Sequence, residues 1–133
     1  MSRTEVLKAS VETFYTDPRN SDVLCDILEK KSGISLRNLE WFITNYSKHR
    51  NLSFVTSEGK RFTVHCSYKS TLDGYSKKLF DPFCRAEKIN FKIPNTEKNI
   101  KTTVAQLNFI RWCIKNSIID YLREHKEELK SSS

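Results

Sequence analysis

Apolar residues recur at three- and four-residue intervals up to Tyr46, alternate with polar ones after Leu52, and return to helical spacing after Thr103. That order predicts helices, a small sheet and a closing helix. Residues 4 to 16 read as a short helix or an irregular arm, with Val6, Leu7, Val11 and Phe14 on one side and Asp17-Pro18 ending it. Ser21 is the candidate N-cap of a helix over Asp22 to Lys31, in which Val23, Leu24, Ile27 and Leu28 share a face and Gly33 lies just past the end. Ser35 starts a second helix whose apolar positions are Leu36, Leu39, Phe42, Ile43 and Tyr46, with Arg37, Asn38 and Glu40 facing away.

From Leu52 the period is two. Leu52 and Phe54, then Phe62, Val64, Cys66 and Tyr68 beyond a Ser57 to Lys60 turn, predict a β-hairpin with one buried face. Residues 70 to 87 read as a loop with one short helical turn around Tyr75 to Phe80, and Lys88 to Ile93 reads as a third strand ended by Pro94. Thr102 or Thr103 then caps a helix of about twenty residues from Val104 to Arg123. The expected fold class is α+β: a small antiparallel sheet, hairpin plus third strand, packed with two N-terminal helices and one long apolar C-terminal helix. Residues 1–133 form a single expected domain, with residues 1–20 as an N-terminal arm and residues 124–133 as a frayed tail.

Apolar side chains cover well over half the circumference of the long helix, so more than one side of it must be buried. Two arrangements satisfy that need. A second copy docks on Leu107, Ile110, Ile114 and Ile118, giving a homodimer, or the rest of the domain encloses the helix.

Composition narrows the class. With 38% hydrophobic and 29% charged residues the chain is globular in type, and no apolar run approaches the length of a membrane span. A soluble, intracellular protein that is not secreted is expected. Cys25, Cys66, Cys84 and Cys113 are widely spaced and form no C-x-x-C pair, which points to reduced, partly buried thiols. In an alternating strand His65 and Cys66 would lie on opposite faces, so no metal or cofactor is expected.

The charge is localised. Residues 41 to 101 carry 12 cationic side chains against 5 acids, residues 1 to 40 carry 6 against 7, and residues 102 to 133 carry 5 against 4, which gives +7, −1 and +1. Lysines and arginines interleaved with rings suit a phosphate chain, because the cations release its counterions and the rings stack or pack. The densest cluster runs from Tyr75 to Arg85, with Tyr75, Lys77, Lys78 and Arg85 as candidate contacts. Phe80 and Phe83 read equally as anchors for this loop, and Asp81 as a partner of Arg85. A second group, Lys48, His49 and Arg50, ends the second helix, where one cation would complement the helix dipole. If the hairpin folds beside that end, Lys60 and Arg61 enlarge the patch. Nucleophile-elbow, phosphate-loop, zinc-protease and dinucleotide motifs are all missing, so a non-enzymatic protein is expected.

Three stretches carry a family resemblance: Gly33-Ile34-Ser35-Leu36-Arg37-Asn38-Leu39-Glu40-Trp41-Phe42-Ile43-Thr44-Asn45-Tyr46-Ser47-Lys48, the Tyr75 to Arg85 cluster, and Thr102-Thr103-Val104-Ala105-Gln106-Leu107-Asn108-Phe109-Ile110-Arg111-Trp112-Cys113-Ile114. Together they resemble a family of small proteins of large nucleocytoplasmic DNA viruses, among them the marseilleviruses and mimivirus relatives, over roughly residues 33 to 122. The resemblance leaves the N-terminal 30 residues outside. It implies a viral protein with a dimerising α+β fold, acting in the infected cell, cytoplasm or nucleus, or packed in the virion, and it imports no catalytic residue. The combined expectation is a homodimeric protein that binds DNA, or RNA, through its basic middle segment. The alternative is a virion scaffold or a modulator of a host protein, with the basic face docked on an acidic partner.

Overall fold

A computed structural model describes residues 2–31 and 33–125. Helix α1 (Arg3–Phe14) opens with the Ser2 hydroxyl accepting from the Glu5 N–H, and α2 (Pro18–Leu28) follows after a tight corner. Asp17, not Ser21, caps α2. Its carboxylate accepts from the Arg19 N–H at 3.0 Å while Pro18 occupies the first helical position, and that earlier start turns Ser21 inward, where its hydroxyl donates to the Pro18 carbonyl.

Ser35 caps the next helix, as expected, in a reciprocal box with Asn38. The helix has three parts: α3 (Leu36–Trp41), a π turn (Phe42–Tyr46) and α4 (Ser47–Arg50). Hydroxyls lie beside the widened turn, with Thr44 donating to the Glu40 carbonyl at 2.8 Å and Ser47 to that of Ile43 at 2.5 Å. Phe42, Ile43 and Tyr46 are all buried there.

The hairpin is shorter than the alternation suggests. Strand β1 (Ser53–Val55) pairs antiparallel with β2 (Arg61–Thr63), setting Phe54 opposite Phe62. Val64 to Tyr68 are not strand; they begin α5 (Val64–Tyr75). Val64 and Tyr68 are four apart and both buried, with Leu72 packing behind them, so helical spacing is the one that places these residues on the core. Consequently His65 and Cys66 are helix neighbours and do not point to opposite faces of a sheet. The short helical turn expected near Tyr75 to Phe80 is α6 (Lys77–Phe80).

Strand β3 (Ile89–Lys92) does not extend the hairpin. It pairs with β4 (Asn99–Thr102) in a second two-stranded sheet, turning at Pro94 to Glu97. The expected twenty-residue helix is also two helices, α7 (Val104–Lys115), capped by Thr103, and α8 (Ile118–Glu124). Between them Ser117 adopts φ +61, which no continuing helix permits. Its hydroxyl accepts from the Ser57 N–H of the hairpin turn at 3.2 Å, tying the break to the first sheet.

Helix α7 is the centre of the fold. Helices α1, α2, α6 and α8 pack against it, and Leu107, Phe109, Ile110 and Cys113 are fully buried. The chain therefore supplies its own cover. Leu107, Ile110 and Ile118, proposed from sequence as dimer contacts, have no exposed surface, and Ile114 is half-buried, so no second copy reaches the first three without opening the core. The N-terminal segment is part of this packing: Leu7, Val11 and Tyr15 are buried, and the Tyr15 hydroxyl donates to the Leu107 carbonyl at 2.8 Å. Of the tail expected to fray, residues 126–133 lie outside the described residues.

Candidate nucleic-acid interface

The hairpin turn, the end of α5 and one face of α7 enclose a cleft of about 410 Å³. Each element contributes for a local reason. The turn is closed by the Thr56 N–H donating to the Lys60 carbonyl and by Gly59 at φ +83, which projects Lys60 and Arg61 at the rim. Helix α5 ends at Tyr75. Helix α7 is apolar around most of its girth but carries Asn108, Arg111 and Lys115 at helical spacing, and this narrow polar stripe faces the cleft beside Trp112.

The result is a basic cleft walled by rings. Lys60, Arg61, Arg111 and Lys115 line it together with a single acid, Glu58, for a local balance of +3. Phe62, Tyr75 and Trp112 are half-buried and form its apolar part. Among the described residues none of the four cations lies within 4.0 Å of a carboxylate; the ion pairs are Asp17–Arg19, Glu29–Lys31 and Glu29–Lys98, all elsewhere. Arg111 is held by neutral groups instead: it donates to the Ser10 hydroxyl at 2.6 Å, to the Asn108 side-chain carbonyl at 2.8 Å and, more weakly, to the Tyr75 hydroxyl at 3.4 Å. Asn108 is itself buried and donates to the Leu79 carbonyl at 2.8 Å, so the guanidinium is positioned from three helices.

Of the residues singled out from sequence, Lys60, Arg61 and Tyr75 meet in this cleft and the others do not line it. Lys77 and Lys78 are exposed on α6, and Arg85 is exposed in the segment that follows. Lys48 and Arg50 are exposed on α4, where the Arg50 guanidinium sits 3.8 Å over the Tyr46 ring. Beside them, burial together with Lys48 and Lys69 lowers the pKa of His65, which marks a second cationic region between α4 and α5. Phe80 is an anchor, fully buried against Tyr68, Tyr75, Phe109 and Trp112. Phe83 remains about half exposed under the Arg37 guanidinium. Asp81 accepts from the Phe83 N–H at 2.9 Å and forms no ion pair with Arg85.

Arg111, Trp112 and Lys115 were not read as site residues from sequence. The signal was present in the spacing of Asn108, Arg111 and Lys115, three and four apart on an otherwise apolar helix.

Fold and site define a small α+β protein with an electropositive, ring-walled cleft. The chain belongs to DUF7197, a family of unknown function that matches it over residues 1–133. An uncharacterized protein of Acanthamoeba polyphaga mimivirus is 38% identical over 140 residues, which cover 97% of this chain and 54% of that protein. The chain thus spans about half the length of the curated relative it matches. The family match takes in the N-terminal 30 residues, which the resemblance read from sequence had left outside. No solved structure matches.

Proposed function

We propose that this protein binds nucleic acid, without catalysing a reaction, and that phosphates enter the cleft between the hairpin turn and α7. The observation that carries the reading is the set of four cations, unpaired with carboxylates among the described residues, gathered beside three half-buried rings. Cations without internal counter-charges keep their attraction for an external polyanion, and rings add sequence-tolerant stacking. Lys48, Arg50, Lys77, Lys78 and Arg85, exposed outside the cleft, add to the positive charge of the surface that attracts a polyanion. One chain carries the whole cleft, so the reading needs no second copy. DNA and RNA both fit its chemistry.

Fluorescence anisotropy of labelled oligonucleotides across a salt series tests it. Binding should weaken linearly in log affinity against log salt, and the triple variant Lys60→Ala, Arg61→Ala, Lys115→Ala should make that slope shallower by about 2, since each lost phosphate contact on a single strand removes roughly 0.7. Absence of binding at low salt, or an unchanged slope in the triple variant, rejects the cleft as the contact surface.

A further inference from the structure

Arg111 is the feature of the cleft that packing least explains. A guanidinium has five N–H donors. Three are engaged, one by Ser10, one by Asn108 and one by Tyr75. Two remain open, on a half-buried cation with no carboxylate within 4.0 Å among the described residues. Withdrawing such a charge from water is unfavourable unless an anion completes it. The group is also pre-oriented, because Ser10, Asn108 and Tyr75 fix its plane before any ligand arrives, which lowers the ordering cost of binding. Both Nη2 donors are taken, by Asn108 and Tyr75, so the open donors are Nε–H and one Nη1–H, which point apart and can each give a charge-assisted hydrogen bond to a single phosphate oxygen.

The rings narrow the ligand further. Phe62, Tyr75 and Trp112 line a recess, not a protruding surface. A double helix hides its base faces in the stack and is read by elements that enter its grooves, whereas a recess receives a base that has left the stack. A volume of about 410 Å³ is near the lower end of the roughly 300 to 1,000 Å³ that small-molecule sites span, which suits one nucleotide and not a run of base pairs.

We infer that the cleft is a nucleotide site: an unpaired base packs on the Trp112 and Tyr75 rings while its phosphate accepts from one open N–H of Arg111, with Lys60, Arg61 and Lys115 around the mouth. This rests on the nucleic-acid reading above and adds that the ligand is single-stranded. A free nucleotide offers the same chemistry as an unpaired residue within a strand.

A Trp41→Phe background leaves Trp112 as the sole tryptophan, so its emission reports the cleft. Adenosine monophosphate, a short single strand and the matching blunt duplex are titrated at one salt concentration. The inference expects saturable quenching by the single strand and affinity for it at least fivefold above that for the duplex, equivalent to about one stacked base. Arg111→Met should weaken the strand by tenfold or more. If that variant loses its fold by far-UV circular dichroism, Arg61→Ala and Lys115→Ala, both at exposed positions, must still weaken strand and monophosphate in parallel. Quenching by the monophosphate with no strand binding keeps the nucleotide site and rejects the polynucleotide reading. Equal affinity for strand and duplex with undisturbed Trp112 emission overturns the inference and leaves general nucleic-acid binding standing. No binding of any of the three overturns both.

Discussion

Tyr15, Tyr68 and Cys113 are acids buried in their neutral forms around α7. Burial pushes the Tyr15 hydroxyl and the Cys113 thiol well above their ordinary ranges. Tyr68 rises to about 12, through burial first and then the neighbouring Asp81 and Glu40 carboxylates. In the unfolded chain the same groups titrate near 9.0 for the thiol and 10.0 for the phenols. Above those values the unfolded state has released protons that the folded state still holds, so stability falls as pH rises. Stability should therefore be fully present below about pH 9 and decline steadily towards pH 12, read as a falling urea midpoint. Tyr68→Phe should flatten the part of that decline between pH 10 and 12. A midpoint independent of pH over that range would mean that these groups ionise in the folded state as freely as in the unfolded one.

Where elements meet, two serines adopt positive φ for different reasons. Ser117, between α7 and α8, uses its hydroxyl to accept from the Ser57 N–H, so its side chain offsets part of the strain. Ser76, between α5 and α6, lies at φ 76, ψ 161, a region that residues other than glycine rarely occupy, and its side chain makes no hydrogen bond among the described residues. Relief of such strain is worth about 1 to 3 kcal/mol, against about 0.5 to 1 kcal/mol for the extra freedom glycine has when unfolded. Ser76→Gly should thus stabilise the protein by about 1 kcal/mol in urea denaturation, and destabilisation would show that the serine side chain holds the α5–α6 junction. These junctions are also where sequence patterns lose resolution. Helix existence was legible in the spacing of Leu36 to Tyr46 and of Leu107 to Leu122, because each burial stripe spans several turns. The Phe62 to Tyr68 stretch was not, since residues 64 and 68 satisfy a period of two and a period of four alike, and only the packing of Tyr68 on Phe80 and Phe109 decides between them. The break at Ser117 depends on a contact with Ser57, 60 positions away, and has no local signature.

At the scale of the whole molecule, half the cleft was legible and half was not, and the division follows the chain. Lys60, Arg61 and Tyr75 belong to the basic middle segment and stood out by composition. Arg111 and Lys115 belong to a helix whose apolar content directed attention to its buried side, and they join the others only because α7 lies at the centre with the hairpin and α5 against one flank. Helix α1 completes that arrangement. Leu7 and Val11 are buried against the core, Tyr15 bonds the Leu107 carbonyl, and Ser10 holds Arg111 at 2.6 Å, so α1 braces the cleft from behind. If it is part of one cooperative unit, Leu7→Ala should cost about 2 to 5 kcal/mol, the range for truncating a buried leucine. The transition seen by tryptophan emission, from Trp41 in α3 and Trp112 in α7, and the transition seen by far-UV circular dichroism should coincide before and after the substitution and shift together. An arm that merely lay on the surface would behave otherwise: Leu7→Ala would lower the helical signal while leaving the tryptophan transition where it was, and the bracing of Arg111 by α1 would be lost as an explanation.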